Sequence, residues 1–82
     1  MCNTYTISPG EIFHTYSGPV QIDGFARMQN CFFGTRIYID DRGNITPEDP
    51  DTAGQLFTKA EVLGFIHEQT GHNYKYAEMV GE

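Results

Sequence analysis

The chain has 82 residues and a mass of 9.3 kDa, enough for a single domain over 1–82, and carries eleven acidic against five basic side chains, a formal charge of −6. That balance weighs against a nucleic-acid backbone or an anionic membrane as partner, because each would be repelled by most of the surface. A hydrophobic fraction of 39% with six Phe and five Tyr is too rich for a disordered tail, and two cysteines are too few for a disulfide-stapled miniprotein.

The start Met1-Cys2-Asn3-Thr4-Tyr5 has neither a basic opening nor an apolar stretch, so no secretory signal is read there. No apolar run approaches the roughly 20 residues of a membrane span. A cytoplasmic protein is therefore expected, with Cys2 and Cys31 as thiols rather than a bridge.

The first half reads as strands and turns. Thr4-Tyr5-Thr6-Ile7 is a short β-prone run stopped by Ser8-Pro9-Gly10, where proline presets φ and glycine permits a positive one. Residues 11–16 form a second run, ended by Ser17-Gly18-Pro19. Val20-Gln21-Ile22-Asp23 alternates, and Gly24 marks a bulge before Phe25-Ala26-Arg27-Met28. In Thr35-Arg36-Ile37-Tyr38-Ile39 the alternation puts Ile37 and Ile39 on one face and Arg36, Tyr38 and Asp40 on the other. Asp41-Arg42-Gly43-Asn44 reads as a hairpin turn returning through Ile45-Thr46. An irregular, acidic stretch rich in Pro and Gly then runs to Gly54.

One helix follows, over 59–70. Thr58-Lys59-Ala60-Glu61 fits a capping box, Phe57 and Val62 fit a hydrophobic staple, and Gly71 is the stop. Val62, Leu63 and Ile66 are the expected buried stripe, with Glu61, Glu68 and Gln69 in water. Gly64, inside the helix, is expected to allow a close backbone contact. Residues 72–80 alternate as a closing strand, with Tyr74 and Tyr76 on one face and Lys75 and Ala77 on the other. The expected fold is α+β: an antiparallel sheet of four to five strands, one helix on one face, and an open, aromatic opposite face.

Catalytic candidates are few. If Met1 is removed, the amine of Cys2 could act as base to its own thiol. The five opening residues resemble the start of the family that crosslinks abasic sites in DNA through an N-terminal cysteine. The likeness stops there: that family's basic DNA-binding surface has no counterpart, and a charge of −6 opposes the substrate. His67 and His72 are five apart, across the helix stop, which is not the spacing of a helical metal pair, and His14 stands alone. Residues 40–49 are similar to a calcium loop only superficially, because the alignment puts Arg42 among the ligands. No metal and no cofactor is expected.

What remains is charge. Asp40, Asp41, Glu48, Asp49 and Asp51 place five acids within twelve residues, against Arg42 alone. Prolines 47 and 50 stiffen this segment, which lowers the ordering cost of docking. Tyr38, Tyr74 and Tyr76 add large rigid contact area of the kind favoured at interfaces, whereas Phe32, Phe33 and Phe65 read as core. The expected function is non-enzymatic: an acidic protein-binding module, an inhibitor or adaptor for an electropositive protein or complex. In size and charge the chain is similar to phage-encoded inhibitors of bacterial defence complexes, including anti-CRISPR proteins. The alternatives are a self-associating structural module, forming a homodimer through its open sheet face, and a reactive-thiol enzyme using Cys2.

Overall fold

The computed structural model describes residues 3–49, 51 and 54–81. Strands β1 (Thr4–Ile7), β2 (Glu11–Thr15), β3 (Gly18–Ala26), β4 (Cys31–Ile39), β5 (Ile45–Pro47) and β6 (Gln55–Phe57) precede helix α1 (Lys59–Thr70) and strand β7 (Tyr76–Met79). The α+β architecture is the one the sequence pattern predicts. The main sheet is antiparallel and five-stranded, in the order β2-β3-β4, with the far edge of β4 shared by two short strands. Strand β5 pairs with residues 37–39 of β4, and β6 with residues 32–34. The closing strand β7 lies beside β1, in parallel, as a separate two-stranded sheet.

The bulge expected at Gly24 is present and decides which side chains meet the helix. The β3–β4 register slips between Ile22 and Gly24, so Asp23 is the extra residue. Ile22 and Phe25, three apart, therefore both turn toward the helix, where strict alternation would have sent Phe25 to the far side. Across the sheet Ile22 opposes Gly34 and Phe25 opposes Phe32. The two rings meet edge-on at 5.0 Å. The backbones at Gly34 are in such close approach that a Cβ there would lie 2.1 Å from the Gln21 carbonyl oxygen.

Helix α1 forms for local reasons that the sequence displays. The Thr58 hydroxyl accepts from the Glu61 N–H at 3.1 Å, and the Glu61 carboxylate accepts from the Thr58 N–H at 3.2 Å. Phe57 and Val62 both enter the core, completing the staple, and Gly71 closes the helix at φ 76°. The buried stripe is Val62, Phe65 and Ile66, with Leu63 only half-buried. Ile7, Phe13, Val20, Phe32 and Met79 meet it from the strands. Each such side chain removed from water contributes about 1.5–3 kcal/mol.

Three local expectations are corrected. Gly64 faces open space, with nothing within 4 Å of where a Cβ would stand, so no close contact explains it. Glu68 is half-buried, and Gln69, though exposed, is engaged: its carboxamide oxygen accepts from the His14 N–H at 2.7 Å. In the last strand Ala77 packs on the core and Met79 is buried, while Tyr76 and Glu78 face out. Tyr74 precedes that strand and packs on the core, edge-on to Tyr5 at 5.3 Å, so Tyr74 and Tyr76 do not share an exposed face.

Candidate protein-binding surface

The acids gather on the β4–β5 hairpin and its continuation, which the register holds in place. At the tip, the Asp40 carboxylate accepts from the N–H groups of Arg42 and Asn44 at 2.8 and 2.9 Å and from the Asn44 side-chain amide at 3.1 Å. The Asn44 N–H, ahead of the other contacts, holds the Asp40 carboxyl below the ordinary carboxylate value. Gly43 completes the turn at φ 83°, donating its N–H to the Asp40 carbonyl at 3.0 Å. Asp40 is thus a fixed charge whose oxygens are largely committed to the turn, whereas Asp41 is exposed.

Glu48, Asp49 and Asp51 occupy the opposite end. The Glu48 N–H donates to the Arg36 carbonyl at 2.8 Å, and the Asp51 N–H to the Asp49 carboxylate at 3.0 Å. Asn44 lies across from Asp40 and Glu48 across from Arg36, so the two acidic groups are separated by four strand residues, about 13 Å. The sequence cluster therefore becomes two groups, one at each end of the hairpin. Between β5 and β6, Thr35, Arg36, Glu48, Asp49 and Gln55 line a notch of about 190 Å³. The Arg36 guanidinium lies 5.8 Å from the Phe57 ring and donates to the Ser17 hydroxyl at 3.2 Å.

The tyrosines divide. Tyr38 is 63% exposed and lies on the hairpin, opposite Thr46, close to the acids. Tyr76 is equally exposed but opens on a different cleft, with Phe25, Phe32 and Lys59. Phe32 and Tyr38 are six residues apart on β4, about 20 Å, so the structure does not bring Tyr76 to the acidic hairpin. Tyr74 is half-buried against Tyr5 and His72.

The sheet face away from the helix departs from expectation: it mixes apolar side chains with Thr35 and Gln21, and Tyr38 lies on the other side. Alternation along β4 puts Phe33, Thr35, Ile37 and Ile39 there, and the register adds Gln21 opposite Thr35, Leu56 opposite Phe33, Pro47 opposite Ile37 and Ile45 opposite Ile39. Phe33 is 39%, Ile45 46% and Leu56 54% exposed, so Phe33 is not the core residue its sequence neighbours suggest. Its ring lies over Gly24, where a Cβ would come within 2.5 Å of it. Ile37 is buried yet outside the helix-side core cluster.

The thiol reading rests on Cys2, which lies outside the described residues together with any bridge to Cys31. Cys31 is a half-buried free cysteine opposite Ala26. His72 stacks edge-on against Tyr74 at 4.5 Å. Among the described residues no group of three or more His, Cys, Asp or Glu is placed to hold a metal ion. Among the same residues no helix is long and apolar enough to cross a membrane.

Comparison with protein-family models, with characterised proteins and with solved structures finds no match to the chain.

Proposed function

We propose that this protein is a non-enzymatic, cytoplasmic binding module, an inhibitor or adaptor that docks on an electropositive protein or complex. The observation that carries the reading is the β4–β5 hairpin with its continuation, which bears Asp40 and Asp41 at its tip and Glu48, Asp49 and Asp51 at its other end, with Tyr38 exposed between them. Charges fixed in position steer a basic partner during approach and select its orientation. Acids spaced along a rigid edge also present negative charge as a phosphate backbone does, so complexes that handle nucleic acid are the favoured partners. Phage-encoded inhibitors of bacterial defence complexes, anti-CRISPR proteins among them, supply the analogy of size and charge.

The test is affinity capture from native-host lysate at low and high salt, read by mass spectrometry. Wild type is compared with a variant in which the five hairpin acids are changed to Asn or Gln. A basic complex retained by wild type, released by salt and lost in the variant supports the reading. A partner indifferent to both salt and the five changes overturns it.

A further inference from the structure

We propose that the cleft lined from both sheets is a binding site for a free aromatic amino acid, its ring against Phe25 and Tyr76, its carboxylate at Lys59 and its ammonium at Glu78. The site is separate from the acidic hairpin and independent of its role. Among the described residues β7 pairs with β1 alone, and a cleft of about 320 Å³ opens among β7, the β3–β4 pair and the start of the helix. That volume lies at the small end of the range for ligand sites.

Local features of the chain build the walls. The bulge at Asp23 turns Phe25 to the helix side, where it meets the buried Phe32 edge-on at 5.0 Å. The capping box makes Lys59 the first helical residue, and its ammonium lies 5.3 Å from the centre of the Phe25 ring. On β7 alternation gives Tyr76 and Glu78 a shared outward face, both exposed, while Ala77 packs on the core. Phe25, Phe32, Lys59, Tyr76 and Glu78 all line the one cleft.

The lining selects the occupant. Three aromatic rings about one opening favour a ring that packs on them offset or edge-on. A Lys ammonium and a Glu carboxylate share the cleft, and among the described residues neither is in an ion pair. A ligand carrying only an acid is attracted by Lys59 but meets Glu78 and a net charge of −6. A ligand carrying only an amine leaves Lys59 without a counter-charge. A zwitterion sets an opposite charge against each side chain and is itself neutral, so the field of the protein does not repel it.

The probe is L-phenylalanine, titrated at neutral pH and low salt into the ¹⁵N-labelled protein. Three relatives are titrated beside it: N-acetyl-L-phenylalanine, which lacks the ammonium, L-phenylalaninamide, which lacks the carboxylate, and L-alanine, which lacks the ring. L-Phenylalanine is expected to bind with a Kd of about 1 mM and to shift the amides of Phe25, Lys59, Tyr76 and Glu78. The acetylated and amidated forms, which stand for the two ends of a peptide, should bind about three- to fivefold weaker. L-Alanine should bind at least about tenfold weaker. Lys59→Met, which keeps the aliphatic stem, should erase the advantage over the amide, and Glu78→Gln the advantage over the acetylated form. Both positions are exposed, so the fold should survive either change. Similar binding of all four probes, or an advantage that survives both variants, overturns the proposal. Tighter binding of either blocked form than of the free amino acid assigns the cleft to a peptide end and overturns the proposed occupant. Shifts confined to other residues, or none at about ten times the expected Kd, overturn the site itself.

Discussion

The side-chain oxygen of Gln69, in the last turn of the helix, accepts the backbone N–H of His14 at 2.7 Å, across 55 residues of sequence. His14 lies on β2, which among the described residues pairs in the sheet with β3 alone, so its outward N–H would otherwise belong to an unprotected strand edge. The helix thus covers the sheet with its apolar side and closes an edge donor with a polar one. Gln69→Ala is expected to lower stability by about 0.5–1.5 kcal/mol in urea unfolding and to speed exchange of the His14 amide. Gln69→Glu keeps an acceptor at the same reach and should retain the protection. Unchanged exchange in the alanine variant would show that the contact protects nothing.

Two glycines make opposite predictions under the same substitution. At Gly34 a Cβ would sit 2.1 Å from the Gln21 carbonyl oxygen, so Gly34→Ala must separate β3 from β4 at the centre of the sheet. A loss of more than about 3 kcal/mol is expected. Gly64 has nothing within 4 Å of its absent Cβ, and Gly64→Ala should stabilise by about 0.5–1 kcal/mol through helix propensity alone. Thermal unfolding of the two variants beside wild type checks both signs.

Gly64 also shows where sequence reasoning stops. The helix was legible because its cap, staple and stop are encoded within a few residues of one another. The hairpin and the bulge at Gly24 were legible for the same reason. Strand β6 was not: Gln55-Leu56-Phe57 is too short to show a period, and it exists because the edge of β4 is free to receive it. The pairing of β1 with β7 joins opposite ends of the chain, which no local pattern specifies. Of the candidate surface, the acids were legible as a cluster, but their division between two ends of a hairpin depends on register. So does the open face, because only the register sends Phe32 to the core and Phe33 to water.

Tyr5 and Glu11 predict an alkaline limb of stability. The Tyr5 hydroxyl donates to the Glu11 carboxylate, which also accepts the Ser8 N–H at 3.0 Å. Desolvation first, then that hydrogen bond, pushes the hydroxyl up from 10.0 to about 12. The folded state therefore holds this proton after the unfolded chain has released it. The stabilisation is complete below pH about 10 and is lost as pH rises through about 12. Tyr5→Phe should cost about 1 kcal/mol near neutrality and lose less stability than wild type over that interval. Parallel decline of the two proteins in denaturant titrations would show that another group governs the limb.

Asp40 separates the shape of the hairpin from its charge. Its carboxylate accepts from Arg42 and Asn44, and its own N–H donates to the Asn44 carbonyl at 3.1 Å, so one side chain defines the loop between the Ile39–Ile45 pair. Asp40→Ala should disorder residues 41–44 and weaken capture of a basic partner beyond the loss of one charge. Asp41→Asn should remove one charge, lower the association rate and leave the tip ordered. The pH dependence follows from the depressed carboxyl: its contribution is full above the ordinary carboxylate value and disappears as pH falls through the lower folded one. In an NMR titration the Arg42 and Asn44 amides should therefore report a midpoint below that of a short peptide spanning the same turn. Coincident midpoints would mean that the carboxylate does not hold the loop, and the hairpin would then owe its shape to Gly43 and the strand pairing alone.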